Sequence, residues 1–351
     1  MDGDTLSHVD QVLLPGDPPT QQHGHAGDIP QRNMRVVLVT GASGLVGRAI
    51  QQHAALLDKK AQSRAYKWVF VGSKDVDLTN AEATVALFQR TRPTHVLHLA
   101  ARVGGLFANM KYQVEFWRDN MAMQDSVFEC CKDFGVERLV SCLSTCIFPD
   151  GAVLPMDESV IMQGPPHFSN RGYAYAKRMV LMLGDLYNEQ YATNFATVIP
   201  CNVFGEWDNF SIEDGHVLPG LIHKCYLAKK DKKPFVIWGS GKPLRQFIYS
   251  KDLAALMLWY LLESDNTAPM ILATDPEDEI SIADAAHMVA QAMEFDGRIV
   301  FEGTRADGQY QKTCSNAMLR SMMPDFEFTP TRQAIAQTVA WFVENYKACR
   351  K

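Results

Sequence analysis

The sequence predicts an α/β fold built on a doubly wound parallel sheet, followed by a smaller C-terminal substrate lobe. From Met34 onwards, short β-branched segments alternate with segments of helical length, which is the pattern of consecutive strand-helix-strand units. A glycine-rich turn comes directly after the first of these strands. These two observations together favour a sheet with helices on both faces.

Local periodicity predicts the individual elements. Strands are expected at residues 36–40, 68–71, 95–99, 139–143 and 195–199. Between them, apolar residues recur every three or four positions, which predicts helices at 44–57, 80–91, 116–134 and 173–191. Proline and glycine become frequent after Pro200, and further helices are expected at 253–262 and 331–346.

Composition excludes several classes of function. The 351 residues include 34 basic and 40 acidic side chains, a net charge of −6, and no basic stripe favours nucleic acid or a membrane surface. The longest apolar run, residues 253–262, is only half of the roughly 20 residues that a spanning helix needs. Eight cysteines without CxxC spacing predict reduced thiols, a cytoplasmic location and no metal site.

The first 33 residues differ from the rest of the chain. They contain four prolines and show no apolar period, which predicts a disordered tail. His23 and His25 lie in this tail without a third fixed ligand, so we expect no metal to bind there.

The turn after the first strand has the composition of a phosphate-binding loop. Residues 40–47 read TGASGLVG, and glycine allows the backbone to approach a pyrophosphate that the N-terminus of the next helix attracts. The GxxGxxG spacing departs from the usual GxGxxG, but its place between a strand and a helix favours dinucleotide binding. The expected cofactor contacts are Gly41, Ser43, Gly44, Leu45, Val46 and Gly47.

The end of the second strand indicates which dinucleotide binds. A carboxylate there binds a free ribose 2′-hydroxyl, whereas a cation accommodates a 2′-phosphate. Ser73 and Lys74 occupy this place and favour NADP(H), although Asp75 and Asp77 lie close by. We expect Asp77 and Leu78 to border the adenine.

A candidate catalytic set follows the fourth strand. Ser144 comes directly after it, and Tyr173 and Lys177 lie four residues apart on the next helix, where they share one face. An ammonium beside the phenol lowers the pKa of Tyr173, so that it can donate a proton to a ketone oxygen as a hydride arrives. Ser144 is expected to hydrogen-bond the same oxygen. Tyr226 and Lys230 repeat the spacing without a preceding serine, and we predict no catalytic role for them.

In this order the motifs resemble the extended short-chain dehydrogenase/reductase family. The resemblance runs from about Met34 to the C-terminus and rests also on residues 100–105 (AARVGG), 144–149 (STCIFP), 200–205 (PCNVFG), 216–219 (HVLP) and 238–245 (WGSGKPLR). We therefore expect an NADP-binding Rossmann domain and a substrate-binding domain, formed by residues 34–202 with 246–264 and by residues 203–245 with 265–351. The family implies a homodimer formed through the helices at 116–134 and 173–191.

The resemblance is strongest to the branch of this family that acts on GDP-4-keto-6-deoxy-mannose. It implies epimerisation at C3 and C5 of this GDP-sugar, followed by reduction of its C4 ketone by NADPH. Carbons beside a ketone lose protons when donors such as Ser144 and Tyr173 stabilise the enolate oxygen. The resemblance assigns the acid and the base of the epimerisation to Cys146 and His216.

Further binding residues are implied by the same resemblance. The substrate residues are Lys224, Trp238, Arg245 and Asp307, where cations suit a diphosphate and tryptophan offers an apolar wall. The cofactor site gains Ala100, Lys177, Pro200, Cys201, Asn202, Val203 and His216. Ser43 stands where some relatives have an arginine for the 2′-phosphate, which leaves that contact to Lys74.

Two other functions stay open at the level of the sequence. A sugar-nucleotide 4-epimerase or simple reductase needs the serine, tyrosine and lysine, but it has no use for Cys146 and His216. A non-catalytic NADP-sensing protein would keep the glycine loop, but it has no use for Tyr173 four residues before Lys177. Turnover, and proton exchange at C3 and C5, distinguish the three functions.

Overall fold

The computed structural model describes residues 34–60, 65–303 and 309–351. Its strands are β1 (Met34–Thr40), β2 (Ala65–Val71), β3 (His95–His98), β4 (Arg138–Cys142), β5 (Phe195–Pro200), β6 (Asn202–Phe204), β7 (Phe235–Trp238), β8 (Leu244–Arg245), β9 (Phe247–Tyr249), β10 (Met270–Leu272), β11 (Ile280–Ser281) and β12 (Ile299–Glu302). Its α-helices are α1 (Leu45–Lys60), α2 (Ala81–Thr91), α3 (Leu106–Lys111), α4 (Gln113–Asp133), α5 (Arg171–Tyr191), α6 (Val217–Asp231), α7 (Ser250–Glu263), α8 (Ile282–Ala292), α9 (Ala317–Met322) and α10 (Thr331–Glu344).

A six-stranded sheet organises the larger part of the fold. The strand order is β10-β5-β4-β3-β1-β2, and every neighbouring pair is parallel. All residues of β3 and β5 are buried, as expected for strands covered on both faces. The order reverses beside β1, because β2 lies on one side of it and β3 on the other. The predicted doubly wound sheet is confirmed, and ligands of such sheets bind at the carboxyl ends of the strands at this reversal.

The helices that connect the strands lie close to their predicted positions. The bounds of α1, α2, α4 and α5 fall within three residues of those expected. Local chemistry explains the limits of α2, since Asn80 Oδ1 accepts a 2.9 Å hydrogen bond from the Ala83 N–H at its start. Arg92 ends the same helix in the left-handed region, at φ 47°.

A second hydrophobic core lies in the smaller lobe. Helices α6, α8 and α10 pack around Phe235 and Phe342, which are fully buried, beside the parallel pair β7 and β12. The helices predicted at 253–262 and 331–346 are confirmed as α7 and α10.

The structure differs from the predicted lobe boundary in one place. Residues 265–351 were all expected in the smaller lobe, yet β10 pairs with β5 in the large sheet. Cys314 and Leu319 also pack into the larger core. The chain therefore returns to the first core before it enters α10, and a three-residue apolar strand gives no sequence signal for that return. The division into two domains otherwise stays a prediction.

Two further expectations concern the chain as a whole. The predicted disordered tail, residues 1–33, lies outside the described residues. Among the helices of the described ranges, none combines the length and apolarity needed to cross a membrane.

Candidate active site

The glycine loop joins β1 to α1 at the carboxyl end of the sheet, and its three glycines meet different demands. Gly41 has φ +67°, and a Cβ there would lie 2.8 Å from the Ala100 backbone nitrogen. A Cβ on Gly47 would lie 2.5 Å from Ala42 Cα, so this glycine allows the helix to pack closely on the turn. At Gly44 the nearest atom is the Gly41 oxygen, 3.4 Å away. A dinucleotide loop has three features: a tight turn, a backbone that the pyrophosphate can approach, and close packing of the helix. These glycines meet all three, so the loop fits a pyrophosphate.

The loop after β2 contains a lysine, Lys74, whose neighbouring carboxylates are hydrogen-bonded to other groups. Asp75 Oδ2 accepts a 2.8 Å hydrogen bond from the Gly72 N–H within its own turn. Asp77 Oδ1 accepts hydrogen bonds from the hydroxyl and the N–H of Thr79, which hold the pKa of Asp77 below its usual range. Lys74, which directly precedes Asp75, is exposed. Because both carboxylates are engaged locally, the arrangement favours a contact between Lys74 and a 2′-phosphate.

The other expected cofactor residues lie at or just beyond the carboxyl ends of β3 and β5. Ala100 follows β3, and its N–H donates a 3.2 Å hydrogen bond to Thr40 Oγ1 at the end of β1. Asn202 begins β6, one residue beyond the end of β5, and its Nδ2 donates a 2.8 Å hydrogen bond to the Gln246 carbonyl. These strand ends border the same edge of the sheet, although the contacts themselves stay a prediction for Ala100, Pro200, Cys201, Asn202 and Val203.

Ser144 begins a short 3₁₀ turn, residues Thr145–Ile147, that carries Cys146. The Ser144 Oγ accepts a hydrogen bond from the Cys146 N–H at 3.4 Å. Burial raises the pKa of the Cys146 thiol, while the Ser144 hydroxyl and the charges of Lys312 and Lys177 act to lower it. Burial has the larger effect, so the thiol carries its proton in most molecules at neutral pH.

Tyr173 and Lys177 lie on α5, as predicted, but the expected effect on the phenol is not found. Burial raises the pKa of Tyr173, and the thiols of Cys142 and Cys146 act in the same direction. The Lys177 Nζ donates a 2.8 Å hydrogen bond to the Cys142 carbonyl. The prediction that Lys177 lowers this pKa is therefore wrong for the free protein, because loss of water outweighs the effect of helical spacing. The neutral phenol is nevertheless the form that donates a proton.

The ring of Tyr173 meets the edge of the Phe116 ring, with centroids 6.3 Å apart and planes at 85°. A Cβ on Gly104 would lie 2.9 Å from Phe116 Cζ, and one on Gly105 would lie 3.2 Å from the Asp214 oxygen. Because Gly104 and Gly105 have no Cβ, the Phe116 side chain beside Tyr173 can lie close to the first glycine, and the loop that leads to His216 can lie close to the second.

His216 directly precedes α6. Its side chain is exposed, yet loss of water around the imidazole lowers its pKa, and the charge of Arg350 acts in the same direction. Its position opposite Cys146 across a substrate stays a prediction.

Two of the expected substrate residues are in direct contact. The Lys224 Nζ lies 3.2 Å from the centroid of the Trp238 ring. Arg245 lies in β8, and its Nη2 donates a 2.7 Å hydrogen bond to the Gln309 carbonyl. Asp307 lies outside the described residues.

The sequence alone did not indicate several residues beside Cys146. A narrow crevice at this thiol is lined also by His167, Gln309 and Lys312. Lys312 is largely enclosed, and burial lowers its pKa. Lys312 is distant from Cys146 along the sequence, and no motif surrounds it. The contact between the two is therefore visible only in the folded chain.

A dinucleotide-binding sheet whose edge carries a serine, a tyrosine and a lysine defines a nicotinamide-dependent oxidoreductase. The sequence model of the NAD dependent epimerase/dehydratase family matches residues 37–272. The chain belongs to this family, which confirms the resemblance inferred from its motifs.

Individual relatives narrow the similarity. The chain is 54% identical over 317 residues to the GDP-L-fucose synthase of Dictyostelium discoideum, covering 90% of this chain and 98% of that one. It is 46% identical to the probable GDP-L-fucose synthase of Drosophila melanogaster, covering 91% and 100% of the two chains. The crystal structure of a GDP-L-fucose synthetase from Naegleria fowleri bound to NADP has a TM-score of 0.86 at 50% identity, covering 90% of this chain and 95% of that chain.

Proposed function

We propose that the protein converts GDP-4-keto-6-deoxy-mannose into GDP-L-fucose by 3,5-epimerisation followed by NADPH-dependent reduction of the C4 ketone. The names of the relatives that it matches along almost their whole length support this function. The observation that carries it is that Ser144 and Cys146 share one short turn, in which Ser144 Oγ accepts a hydrogen bond from the Cys146 N–H. A thiol suited to proton abstraction thus lies beside a hydroxyl suited to hold the ketone oxygen.

In the epimerisation, a proton leaves C3 or C5 and the resulting charge collects on the C4 oxygen. The hydroxyls of Ser144 and Tyr173 donate hydrogen bonds to that oxygen and so stabilise the enolate. The thiolate of Cys146 removes the proton, and His216 returns one to the opposite face. Burial favours the neutral thiol of Cys146 and the neutral imidazole of His216, so the thiolate and imidazolium that react are minor populations. The charges of Lys177 and Lys312 increase the share of the thiolate.

In the reduction, Tyr173 donates its phenolic proton to the C4 oxygen. NADPH, when bound, supplies the hydride to C4. Burial keeps the pKa of the phenol high, so the proton is present at neutral pH. Lys177 lies one helical turn further along α5, where its hydrogen bond to the Cys142 carbonyl holds this helix against β4, and we assign its ammonium to cofactor binding.

We assign the binding of the two ligands to opposite sides of this site. The glycine loop, Ser73 and Lys74 bind NADPH, with Asp77 and Leu78 beside the adenine. Lys224, Trp238 and Arg245 bind the GDP-sugar, since the lysine and arginine suit its diphosphate.

The protein is proposed to work as a homodimer in the cytoplasm. Exposed apolar side chains on the paired helices α4 and α5 support the dimer, among them Val114, Trp117, Met182 and Leu186. The eight free cysteines support a reducing compartment. Sedimentation of wild type against Leu186→Glu tests the interface, and a wild-type monomer would contradict it.

The function is tested by incubating the protein with GDP-4-keto-6-deoxy-mannose and NADPH in deuterated water. We expect loss of nicotinamide absorbance, deuterium at C3 and C5, and a product with the configuration of L-fucose. NADPH oxidation without deuterium at these carbons would favour a simple reductase. Stoichiometric NADPH binding without turnover would favour a sensor.

A further inference from the structure

Arg178 is a buried cation that the proposed chemistry does not use. It follows Lys177 on α5, is 4% exposed, and burial lowers its pKa. No carboxylate within the described ranges forms an ion pair with it. Because arginine is seldom buried without a partner, the destination of its N–H groups indicates why it is there.

Those N–H groups hold two main-chain oxygens. Arg178 Nε donates a 3.0 Å hydrogen bond to the Ile147 carbonyl, to which Nη2 also donates, and Nη1 donates a 2.8 Å bond to the Gly164 carbonyl. Ile147 is the last residue of the turn that carries Cys146. The planar guanidinium spans both oxygens at once, whereas an ammonium is a single point charge.

The turn has only one hydrogen bond of ordinary length within itself, from the Ile147 N–H to the Ser144 carbonyl at 3.1 Å. The bond from the Cys146 N–H to Ser144 Oγ and the bond from the Phe148 N–H to the Thr145 carbonyl are both 3.4 Å long, which is beyond the usual range for N–H···O bonds. The bonds from Arg178 to the Ile147 carbonyl therefore supply the main restraint on the turn from outside it. The helix that carries Tyr173 therefore also fixes the turn that carries the thiol.

We propose that Arg178 is a positioning residue for the epimerisation: by holding the Ile147 carbonyl, it sets the Cys146 thiol relative to Tyr173. The proposal rests on the proposed function, because it concerns one of its two steps. Hydride transfer and cofactor binding do not need the thiol, so loss of this restraint affects proton exchange first.

Arg138 provides a matched control. It is 3% exposed, and it donates hydrogen bonds to the carbonyls of Tyr260 and Asn266. It also lies over an aromatic ring, at 5.1 Å from the Tyr260 centroid, as Arg178 lies over Tyr175 at 5.4 Å. Arg138, however, lies at the start of β4, whereas Arg178 binds the turn that follows the end of this strand.

The test measures deuterium incorporation at C3 and C5 of GDP-4-keto-6-deoxy-mannose without NADPH. We expect Arg178→Lys to slow exchange at least about tenfold while the NADPH dissociation constant stays within about twofold. Arg178→Gln, which keeps a single amide donor group, should slow it further, and it tests the same restraint if the lysine variant does not fold. Arg138→Lys should exchange within about twofold of wild type.

A second readout separates positioning from general stability. Alkylation of Cys146 by iodoacetamide, followed on its peptide by mass spectrometry, should show an altered pH midpoint in the Arg178 variants but not in Arg138→Lys. Wild-type exchange in both Arg178 variants, or an equal loss in Arg138→Lys, would overturn the proposal. A wild-type protein that exchanges no deuterium would contradict the proposed function instead, and the alkylation profile would still test Arg178.

Discussion

The Nζ of Lys177 donates a 2.8 Å hydrogen bond to the carbonyl oxygen of Cys142, the last residue of β4. This bond ties the helix that carries Tyr173 to the strand that leads into Ser144. Since the phenol oxygen takes no part in it, loss of that oxygen should leave the scaffold intact.

Tyr173→Phe is therefore expected to abolish NADPH oxidation, by a factor of about 10² or more, because it removes the proton donor alone. NADPH binding, measured by fluorescence titration, should stay within about twofold. Tyr226→Phe is the control, because Tyr226 stacks on Tyr346 at 4.2 Å in the smaller lobe and should tolerate the change. Turnover of Tyr173→Phe near the wild-type rate would contradict the assigned role.

Lys74→Ala should narrow the preference for NADPH over NADH. A charge-assisted contact with the 2′-phosphate contributes about 1.5 to 3 kcal/mol, which corresponds to roughly ten- to hundredfold in affinity. The ratio of the two dissociation constants measures this. Lys67 in β2 is also exposed, and Lys67→Ala should leave the ratio unchanged. A wild-type protein that binds both cofactors equally would contradict the expected preference.

The sequence was sufficient where a feature depends on neighbours along the chain. The strand-helix alternation predicted the sheet, because burial on both faces requires continuous apolar strands such as β5. The glycine loop was predictable for a similar reason, since the left-handed turn at Gly41 and the close packing at Gly47 both require glycine. Each of these features is encoded within a few residues.

Features that depend on the environment of a side chain were not predictable in this way. Helical spacing suggested that Lys177 lowers the pKa of Tyr173, but burial has the opposite and larger effect. Lys312 and Arg178 reach Cys146 or its turn across the fold, so nothing near residue 146 in the sequence reveals them. Desolvation and long-range contacts become visible only once the chain is folded.

His98 should make the protein less stable in mild acid. It is fully buried, its Nδ1 lies 2.8 Å from Thr40 Oγ1, and burial lowers its pKa to about 3. The unfolded chain takes up the proton near pH 6.5, so the stability from the neutral imidazole is complete above that pH and is lost as pH falls towards 3. At pH 5 the loss reaches about 2 kcal/mol.

Urea unfolding at pH 7 and pH 5 measures this loss. His98→Asn should lose less stability than wild type over this interval, by about the 2 kcal/mol that His98 contributes. His287 is exposed, and His287→Asn should keep the wild-type pH dependence. If wild type and His98→Asn showed equal pH dependence, the His98 imidazole would have to take up its proton at a similar pH in the folded and the unfolded protein, which would contradict the prediction.

Cys146→Ser should separate the two proposed chemistries. The hydroxyl keeps the size and hydrogen bonding of the thiol, but its pKa lies far above that of a cysteine, so the base for enolisation is lost. Deuterium incorporation at C3 and C5 should fall steeply in the variant. Cys349, a partly buried thiol near the C-terminus, provides the control, and Cys349→Ser should exchange label at the wild-type rate.

The reductive groups remain in Cys146→Ser, because Ser144, Tyr173 and Lys177 are unchanged. Given time, the variant should therefore reduce the unepimerised ketone to a 6-deoxy sugar with the original configuration at C3 and C5. Product stereochemistry, determined by NMR, distinguishes this outcome from general loss of activity, which would stop both reactions together. If Cys146→Ser instead exchanged deuterium as fast as wild type, the thiol would serve only for packing. The base of the epimerisation would then have to be another group, with His216 as the first to test.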